Sequence, residues 1–318
     1  MYKLLTILLL LTSVVNGQMV INASAPYRPL TQYVFLLDLY PTTGVAYSFR
    51  KLSSTYNGNC IRVRRSSDNT ESNIGFFNNY LDTATLKTFV GANNGFITIW
   101  YDQSSGGYDV SQSTALAQPS IVVSGAINYT NKCVCAAMNG SSMYLKSTAS
   151  FSSVATSISF ASVLLNKRST GIAGTYNYQW AIGSPATTGN KSFVSAAQSA
   201  FQDWSANSTL LFGNGYASSS NPRIITPANI FTDNTQNVWI GGINSTANFL
   251  KLNGSNVTAS VNTTANVATA GGTVALGSDN SAGNFSSESF QEVIVWQSNQ
   301  SANQTSILSN INSFYKVY

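Results

Sequence analysis

The chain has 318 residues and no histidine, with 16 lysines and arginines against 11 aspartates and glutamates. A net charge of +5, spread along the chain, is too weak to predict nucleic-acid binding. Without histidine, most zinc sites and the usual serine and cysteine hydrolase triads are excluded, so we predict neither a metal nor another cofactor.

The first 17 residues, MYKLLTILLLLTSVVNG, place one lysine before an apolar run that ends in small residues. The run is too short to cross a bilayer, and the pattern is typical of a secretory signal peptide. No later stretch approaches the roughly 18 consecutive apolar residues of a membrane span. We therefore expect a secreted, extracellular protein whose mature chain begins near Gln18.

Charged residues make up only 8% of the chain, against roughly 25% in ordinary globular domains. Asn-x-Ser/Thr sequons are frequent, and in a secreted protein they are acceptors for N-linked glycans. Glycans would then take the place of charged side chains in keeping the protein surface hydrated. The predicted acceptors are Asn22, Asn128, Asn139, Asn190, Asn207, Asn244, Asn253, Asn256, Asn262, Asn284, Asn299 and Asn303.

Residues 18–35 form an N-terminal extension in which Val20-Ile21 and Tyr33–Leu37 favour strands. The extension has two alternatives. It folds back as an additional strand of its own domain, or it adds to the sheet of a neighbouring copy by β-augmentation. Repeated head to tail, the second contact does not close and generates a fibre.

The stretch from Ala46 to Phe76 carries five cations within 16 residues. It predicts two strands, Ala46–Leu52 and Cys60–Arg64, joined as a hairpin across the Asn57-Gly58 turn. Like charges on neighbouring strands repel unless carboxylates lie among them. We expect a structural ion network here, with a ligand site as the alternative. Its members would be Arg62, Arg64, Asp68, Glu71 and Asp102.

The three cysteines are Cys60, Cys133 and Cys135. An oxidising compartment favours one disulfide and leaves one thiol over. Cys133 and Cys135 would lie on the same face of a strand, with side chains that run parallel and do not bond each other easily. We therefore expect Cys60 to pair with Cys133 or Cys135.

Further along, Asp82 is predicted to cap a short helix, Thr83–Val90, that ends at Gly91. Strand after strand then follows, with Gly/Ser/Asn-rich turns at the spacing of a β-sandwich. The chain ends in a predicted helix, Ala302–Phe314, whose apolar residues recur at helical spacing. The predicted strands are Ile97–Tyr101, Val134–Leu145, Phe151–Leu165, Gln179–Gly183, Val238–Ile243, a hairpin from Phe249 that turns at Asn253-Gly254, Thr273–Gly277 and Phe290–Trp296.

Several of these motifs together resemble the arabinofuranosidase B catalytic-type domain. They are Leu36–Pro41, Ala46–Leu52, Ile61–Asn69, Ile74–Phe76 and Trp100–Ser104. The resemblance is specific over Leu36–Leu145 and traceable to the C-terminus. It implies one domain over residues 36–318 with an all-β fold, a concanavalin-like antiparallel β-sandwich (jelly roll) with a short internal helix and a C-terminal helix.

The resemblance also implies a catalytic carboxylate. Asp279, in Leu276–Ser281, stands where the family's Gly-Gly-Asp-Asn-Ser motif carries its general acid/base, and Asn280 follows it. The family's nucleophilic glutamate has no counterpart, because Gly215–Phe231 contains no carboxylate. The vicinal cysteine pair of the enzymes is also missing. Retaining hydrolysis of a glycoside needs two carboxyl groups.

Aromatic side chains are the other candidate sugar contacts, because sugar rings stack on their faces. Trp100 and Trp296 lie in apolar strands and are predicted to be core. Tyr176, Tyr178 and Trp204 lie among Gly, Asn and Ser and are predicted ligand platforms. We therefore predict a non-catalytic protein whose partner is carbohydrate, or copies of itself in an extracellular coat or fibre. The alternative is an active, retaining α-L-arabinofuranosidase.

Overall fold

The computed structural model describes residues 33–150, 157–167, 176–183, 193–198, 209–214, 222–265, 272–279 and 282–318. Val34–Tyr318 form one compact unit, and of the other unit, Met1–Tyr33, only Tyr33 is described. The predicted signal peptide and the predicted Val20-Ile21 strand therefore lie outside the described residues.

Short antiparallel strands dominate the chain. In its first part they are β1 Val45–Ser48, β2 Ile61–Arg65, β3 Glu71–Ile74, β4 Phe76–Phe77, β5 Tyr80–Leu81, β6 Gly95–Trp100, β7 Val110–Ser111, β8 Ser120–Val123, β9 Ala126–Ile127, β10 Tyr129–Thr130, β11 Cys133–Val134 and β12 Ala136–Ala137. They continue as β13 Leu145–Ser147, β14 Ile158–Asn166, β15 Tyr176–Gly183, β16 Phe193–Gln198, β17 Thr209–Asn214, β18 Arg223–Ile225, β19 Thr235–Ile243, β20 Phe249–Leu252, β21 Ser255–Asn256, β22 Val261–Thr263, β23 Thr273–Leu276 and β24 Ser289–Trp296. The helices are α1 Leu36–Leu39, α2 Thr83–Val90 and α3 Gln304–Tyr315, with a 3-10 turn at Ala115–Ala117.

The strands pair in two long antiparallel ladders. One runs β3-β2-β6-β7-β13-β23-β15-β16-β17-β18-β22. The other runs β21-β20-β19-β14-β24, with β1 and β12 both pairing with β24. Strand β8 pairs with β6 and with β12, which links the two ladders. The predicted antiparallel β-sandwich is therefore confirmed.

Strand β24 shows how the layers pack. Its side chains alternate with period two. Val293 and Val295 belong to the core cluster between the ladders, whereas Ile294 and Trp296 belong to a second cluster. The buried residues of α3 complete that second cluster. Because both faces of β24 are covered, every residue of the strand is buried, including the polar Ser289, Gln291 and Glu292.

Two predictions about the N-terminal part are wrong. Strand β1 pairs with β24, whereas β2 pairs with β3 and β6, so the two do not form a hairpin. Neither Asn57 nor Gly58 has a positive φ. The connection instead crosses from one ladder to the other. The predicted strand at Tyr33–Leu37 is replaced by α1, which lets the adjacent Leu36 and Leu37 both be buried.

The predicted strand Val134–Leu145 is interrupted, because residues 138–144 lie between β12 and β13 outside any strand.

The predicted cap of α2 and the predicted turn at Asn253-Gly254 are confirmed. The Asp82 carboxylate accepts a hydrogen bond from the Thr85 backbone N–H at the start of α2, and Gly91 ends the helix with φ 61°. Asn253 and Gly254 have φ values of 48° and 83° in the turn between β20 and β21. Both central residues of a type I′ turn need such values.

Candidate carbohydrate site

The motif Trp100–Ser104 forms a hydrogen-bond network with the backbone around it. The Asp102 carboxylate accepts hydrogen bonds from the backbone N–H groups of Ala46 (2.8 Å), Ser104 (2.9 Å) and Tyr108 (3.0 Å), and from the Ser104 hydroxyl (2.7 Å). Burial raises the pKa of Asp102, and these hydrogen bonds oppose the rise. Asp102 therefore binds backbone, and its predicted place in an ion network is wrong.

Gln103, the next residue, extends this hydrogen-bond network. Its Oε1 accepts from the Leu52 N–H at 2.8 Å, and its Nε2 donates to the carbonyls of Ser48 (2.9 Å) and Arg50 (3.0 Å). Buried backbone groups that lack a ladder partner need such side chains. The two motifs Ala46–Leu52 and Trp100–Ser104 therefore occur together because one satisfies the backbone of the other.

The predicted ion network is resolved into separate surface pairs. Arg62 lies 2.8 Å from Glu71, with side chains 42% and 33% exposed, and Arg65 lies 2.6 Å from Asp68. Arg64 is buried but binds neutral acceptors: Gln118 Oε1 (2.6 Å), Asn69 Oδ1 (2.9 Å) and the Ala115 carbonyl (3.3 Å). The prediction that Arg64 belongs to an ion network is therefore wrong.

The buried ion pair of the described structure joins Arg50 to Glu292. Arg50 Nε donates to Glu292 Oε2 (2.7 Å) and Arg50 Nη2 to Oε1 (2.9 Å), and both side chains are almost fully buried. Ser48 Oγ (2.7 Å) and the Tyr315 hydroxyl (3.2 Å) also donate to Glu292. Sequence reasoning missed this pair, although a glutamate inside the apolar run Phe290–Trp296 was a signal.

The predicted disulfide is contradicted, because Cys60 is not joined to Cys133 or Cys135. Cys60 belongs to the core between the ladders, and its thiol lies 3.4 Å from the Ser48 carbonyl. Cys133 belongs to the second cluster, against α3. The sheet thus separates the two sulfur atoms. Cys135 is buried with its thiol beside the Thr130 hydroxyl at 3.5 Å.

Asp279 lies in the loop after β23, partly exposed. Its Oδ1 accepts from the Gly283 N–H (2.8 Å) and its Oδ2 from Asn284 Nδ2 (2.7 Å). The Asn284 carbonyl in turn accepts from the Tyr178 N–H at 3.2 Å. The fold therefore brings the backbone of Tyr178 to the Asp279 loop, while its half-buried side chain packs against the cluster that contains Ala181 and Ala275.

The positions of the other predicted ligand contacts, the side chains of Tyr176, Trp204 and Asn280, are not described. Tyr176 begins β15, but its side chain is not among those described. Trp204 and Asn280 lie outside the described residues. Trp180 and Trp239 are 1% and 0% exposed in the core, so neither offers its face to a sugar.

Glu288, for which the sequence analysis predicts no role, carries a second carboxyl group close in sequence to this loop. Glu288 is fully buried, and its Oε1 accepts from Asn166 Nδ2 (2.8 Å) and Gln179 Nε2 (3.1 Å). Its Oε2 accepts from the Ser286 hydroxyl at 3.2 Å. Burial raises the pKa of Glu288 to about 7, against these hydrogen bonds. Because Asn166 and Gln179 belong to different ladders, Glu288 bridges the two layers of the sandwich.

Amide side chains extend this contact toward the β20–β21 turn. Asn166 Oδ1 accepts from Asn237 Nδ2 (2.8 Å) and Trp239 Nε1 (3.1 Å). Asn237 Oδ1 accepts from Asn253 Nδ2 at 2.9 Å. Polar groups buried in this way are hydrogen-bonded because an unpaired one is costly. The row is a structural network that fixes the turn on the sheet.

Within the described ranges, no three histidine, cysteine, aspartate or glutamate side chains gather as a metal site would require. Nor does any helix in that part of the chain have the length and apolar character needed to span a membrane.

Residues 38–164 match the family model for the catalytic domain of alpha-L-arabinofuranosidase B. A GH54 arabinofuranosidase soaked with a cyclic sulfate inhibitor superposes with a TM-score of 0.63 at 16% identity, covering 87% of this chain and 65% of its own. An arabinofuranosidase complexed with arabinofuranosyl-alpha-1,2-xylobiose gives a TM-score of 0.54 at 16% identity, covering 87% of this chain and 64% of its own.

The chain thus spans about 65% of the length of the arabinofuranosidase structures that it matches. No curated protein sequence is detectably similar to it. The resemblance read from the sequence is confirmed: residues 38–164 match the arabinofuranosidase B catalytic domain, and the chain shares the β-sandwich fold of the GH54 arabinofuranosidases.

Proposed function

We propose that this protein recognises carbohydrate at the Asp279 loop without hydrolysing it. The observation that carries the proposal is the state of the two glutamates that follow Asp279. Glu292 is bound by Arg50, Glu288 is bound by two amides and a hydroxyl, and both are 0% exposed. A retaining glycosidase needs a second carboxyl group that reaches the sugar, about 5–5.5 Å from the first. Neither glutamate meets that need.

Sequence supports the same view, since Gly215–Phe231, where the enzymes carry their nucleophile, has no carboxylate. The Asp279 loop keeps groups suited to a sugar. A carboxylate fixed by Gly283 and Asn284 accepts hydroxyl donors, and the Tyr178 backbone N–H ties the same loop to strand β15. Fixing these groups in advance lowers the entropic cost of binding.

The second candidate is an active arabinofuranosidase, favoured by the family match and by Asp279 at the position of the general acid/base. Hydrolysis of an aryl α-L-arabinofuranoside separates the two. We expect no turnover by the wild type beyond that of Asp279→Asn, together with glycan-array binding that Asp279→Asn loses. Turnover that Asp279→Asn abolishes would establish the enzyme instead.

Secretion and N-glycosylation belong to the proposal as well. They are supported by the first 17 residues and by the many sequons in a chain poor in charge. Expression of the full chain in eukaryotic cells tests both. We expect protein in the medium that begins near Gln18 and loses mass on treatment with an N-glycosidase. Retention in the cytosol without glycan would refute this part.

Self-association through the N-terminal extension is proposed as a further property, on the strength of its strand-forming residues and the few charges available to block sheet edges. Deletion of Gln18–Thr31 tests it by light scattering. We expect concentration-dependent growth of the full-length mature protein and not of the deletion variant. If both are monomers at every concentration, the extension is an intramolecular strand.

A further inference from the structure

Three loops enclose a cleft of about 340 Å³. They come from the α1 region, from the segment after Leu52, and from the end of the Trp100–Ser104 motif. Volumes of roughly 300–1,000 Å³ are usual for small-ligand sites. We propose that this cleft, between Asp38 and Ser105, is a second binding site and takes one residue of a neutral sugar. The proposal does not depend on binding at Asp279, which shares no lining residue with the cleft.

Both walls of the cleft are fixed. On one side, Asp38 Oδ1 accepts from the Ser53 hydroxyl and from the Ser54 N–H, each at 3.0 Å. On the other, the Ser105 hydroxyl donates to the Thr42 carbonyl at 3.2 Å. The Ser104 hydroxyl donates to Asp102 at 2.7 Å, so this wall is anchored to the buried hydrogen-bond network around Asp102. A cleft held in this way loses little freedom when a ligand enters.

The lining has the chemistry of a site for a neutral polyol. Its polar side chains are hydroxyls, one carboxamide and the Asp38 carboxylate, and no cation is among them. Burial raises the pKa of Asp38, but hydrogen bonds from Ser54 and Ser53, together with the charge of Lys51 outside the lining, outweigh it, so that the net pKa is lowered and the group is ionised. An anionic ligand would be repelled, whereas sugar hydroxyls donate well to a carboxylate.

Apolar surface is present on the same walls. Leu37, Pro41 and Tyr56 line the cleft, and Tyr56 is held in place. Its hydroxyl donates to the Asn59 carbonyl at 2.8 Å, and its ring meets that of Phe76 edge-on at 6.2 Å. A sugar presents both a C–H face and hydroxyls, so a lining that offers apolar surface beside fixed acceptors suits it.

Substitutions on the two walls test the proposal. Ser105 and Thr55 are exposed residues on opposite walls, and a tryptophan at either position would fill the cleft. Ser309 is an exposed serine of α3, so Ser309→Trp is the matched control. Binding of L-arabinose, D-galactose and D-mannose is measured by saturation-transfer NMR and calorimetry, with D-glucuronic acid as the anionic probe and thermal melting as the check on folding.

We expect the wild type and Ser309→Trp to bind at least one neutral sugar, with at least tenfold weaker binding of glucuronic acid. Ser105→Trp and Thr55→Trp should each weaken that binding at least tenfold while melting close to the wild type. Binding that both tryptophan variants retain, or equal binding of the acidic sugar, would overturn the proposal. Sugar binding that survives Asp279→Asn and is lost in Ser105→Trp belongs to the cleft, and the reverse pattern belongs to the Asp279 loop.

Discussion

Arg50 and Glu292 form a buried, bidentate ion pair although 242 residues separate them in the sequence. The guanidinium lies 5.4 Å from the Phe314 ring centroid, and its Nη1 donates to Asn310 Oδ1 at 2.8 Å. Three parts of the chain therefore meet at one charge: the segment after β1, strand β24 and helix α3. The pair fixes where the C-terminal helix lies on the sheet.

Removing one partner of this pair should be costly. We expect Arg50→Ala to lower the free energy of unfolding by about 3–5 kcal/mol, because Glu292 would be left buried without its cation. Arg62→Ala is the matched control. Its pair with Glu71 is partly exposed, so we expect a cost of at most about 1 kcal/mol. Urea denaturation measures both. Equal costs would show that burial does not govern the strength of these pairs.

Glu288 should make stability depend on pH. Its pKa is raised from 4.5 to about 7 in the folded protein, so the folded state holds a proton that the unfolded chain releases. The stabilisation by this proton is complete below about pH 4.5 and is lost as the pH rises through 7. We expect the melting temperature of the wild type to fall between pH 5 and pH 8 more steeply than that of Glu288→Gln. Identical slopes for the two proteins would contradict this.

The β20–β21 turn contains two sequons that differ in accessibility. Asn253 Nδ2 donates to Asn237 Oδ1 and its Oδ1 accepts from the Val238 N–H at 2.9 Å, so both polar atoms of the Asn253 carboxamide are hydrogen-bonded within the protein. Asn256 is exposed. We expect the glycan on Asn256, so that Asn256→Gln removes its mass and Asn253→Gln lowers the melting temperature without changing the mass. Peptide mapping of secreted protein that finds Asn256 bare would refute the assignment.

Gly44 lies where a side chain has no room. A Cβ at this position would collide with the Val295 carbonyl oxygen of β24. We expect Gly44→Ala to lower the free energy of unfolding by about 1–3 kcal/mol, because the backbone would have to shift. Gly75 is the control, since a Cβ there would meet only Asn59 Oδ1 at 3.9 Å. If Gly75→Ala is as destabilising in urea as Gly44→Ala, steric exclusion is not the cause.

Local patterns predicted local structure well. The cap at Asp82, the turn at Asn253-Gly254 and the helix α3 each depend on residues close in sequence, and each was confirmed. The prediction of a hairpin in the cation-rich stretch is wrong because β1 and β2 pair with other strands and not with each other. Turn residues such as Asn57-Gly58 favour a hairpin, but β1 finds its partner in β24, which no local pattern reveals.

The candidate site shows the same division. The motif around Asp279 could be read from the sequence, since its residues are contiguous. Burial of Glu288 between Asn166 and Gln179, and of Glu292 against Arg50, depends on contacts across the sandwich. Those long-range contacts determine which carboxyl groups are available to a ligand.

The position of β24 also bears on how the protein is made. Strands β1, β12 and β14 all pair with this strand, so these pairings cannot form until β24 has been synthesised. Contacts this far apart in sequence are slow to form. A product terminated before β24 would leave three strands, β1, β12 and β14, with an unpaired edge, and such edges are templates for aggregation.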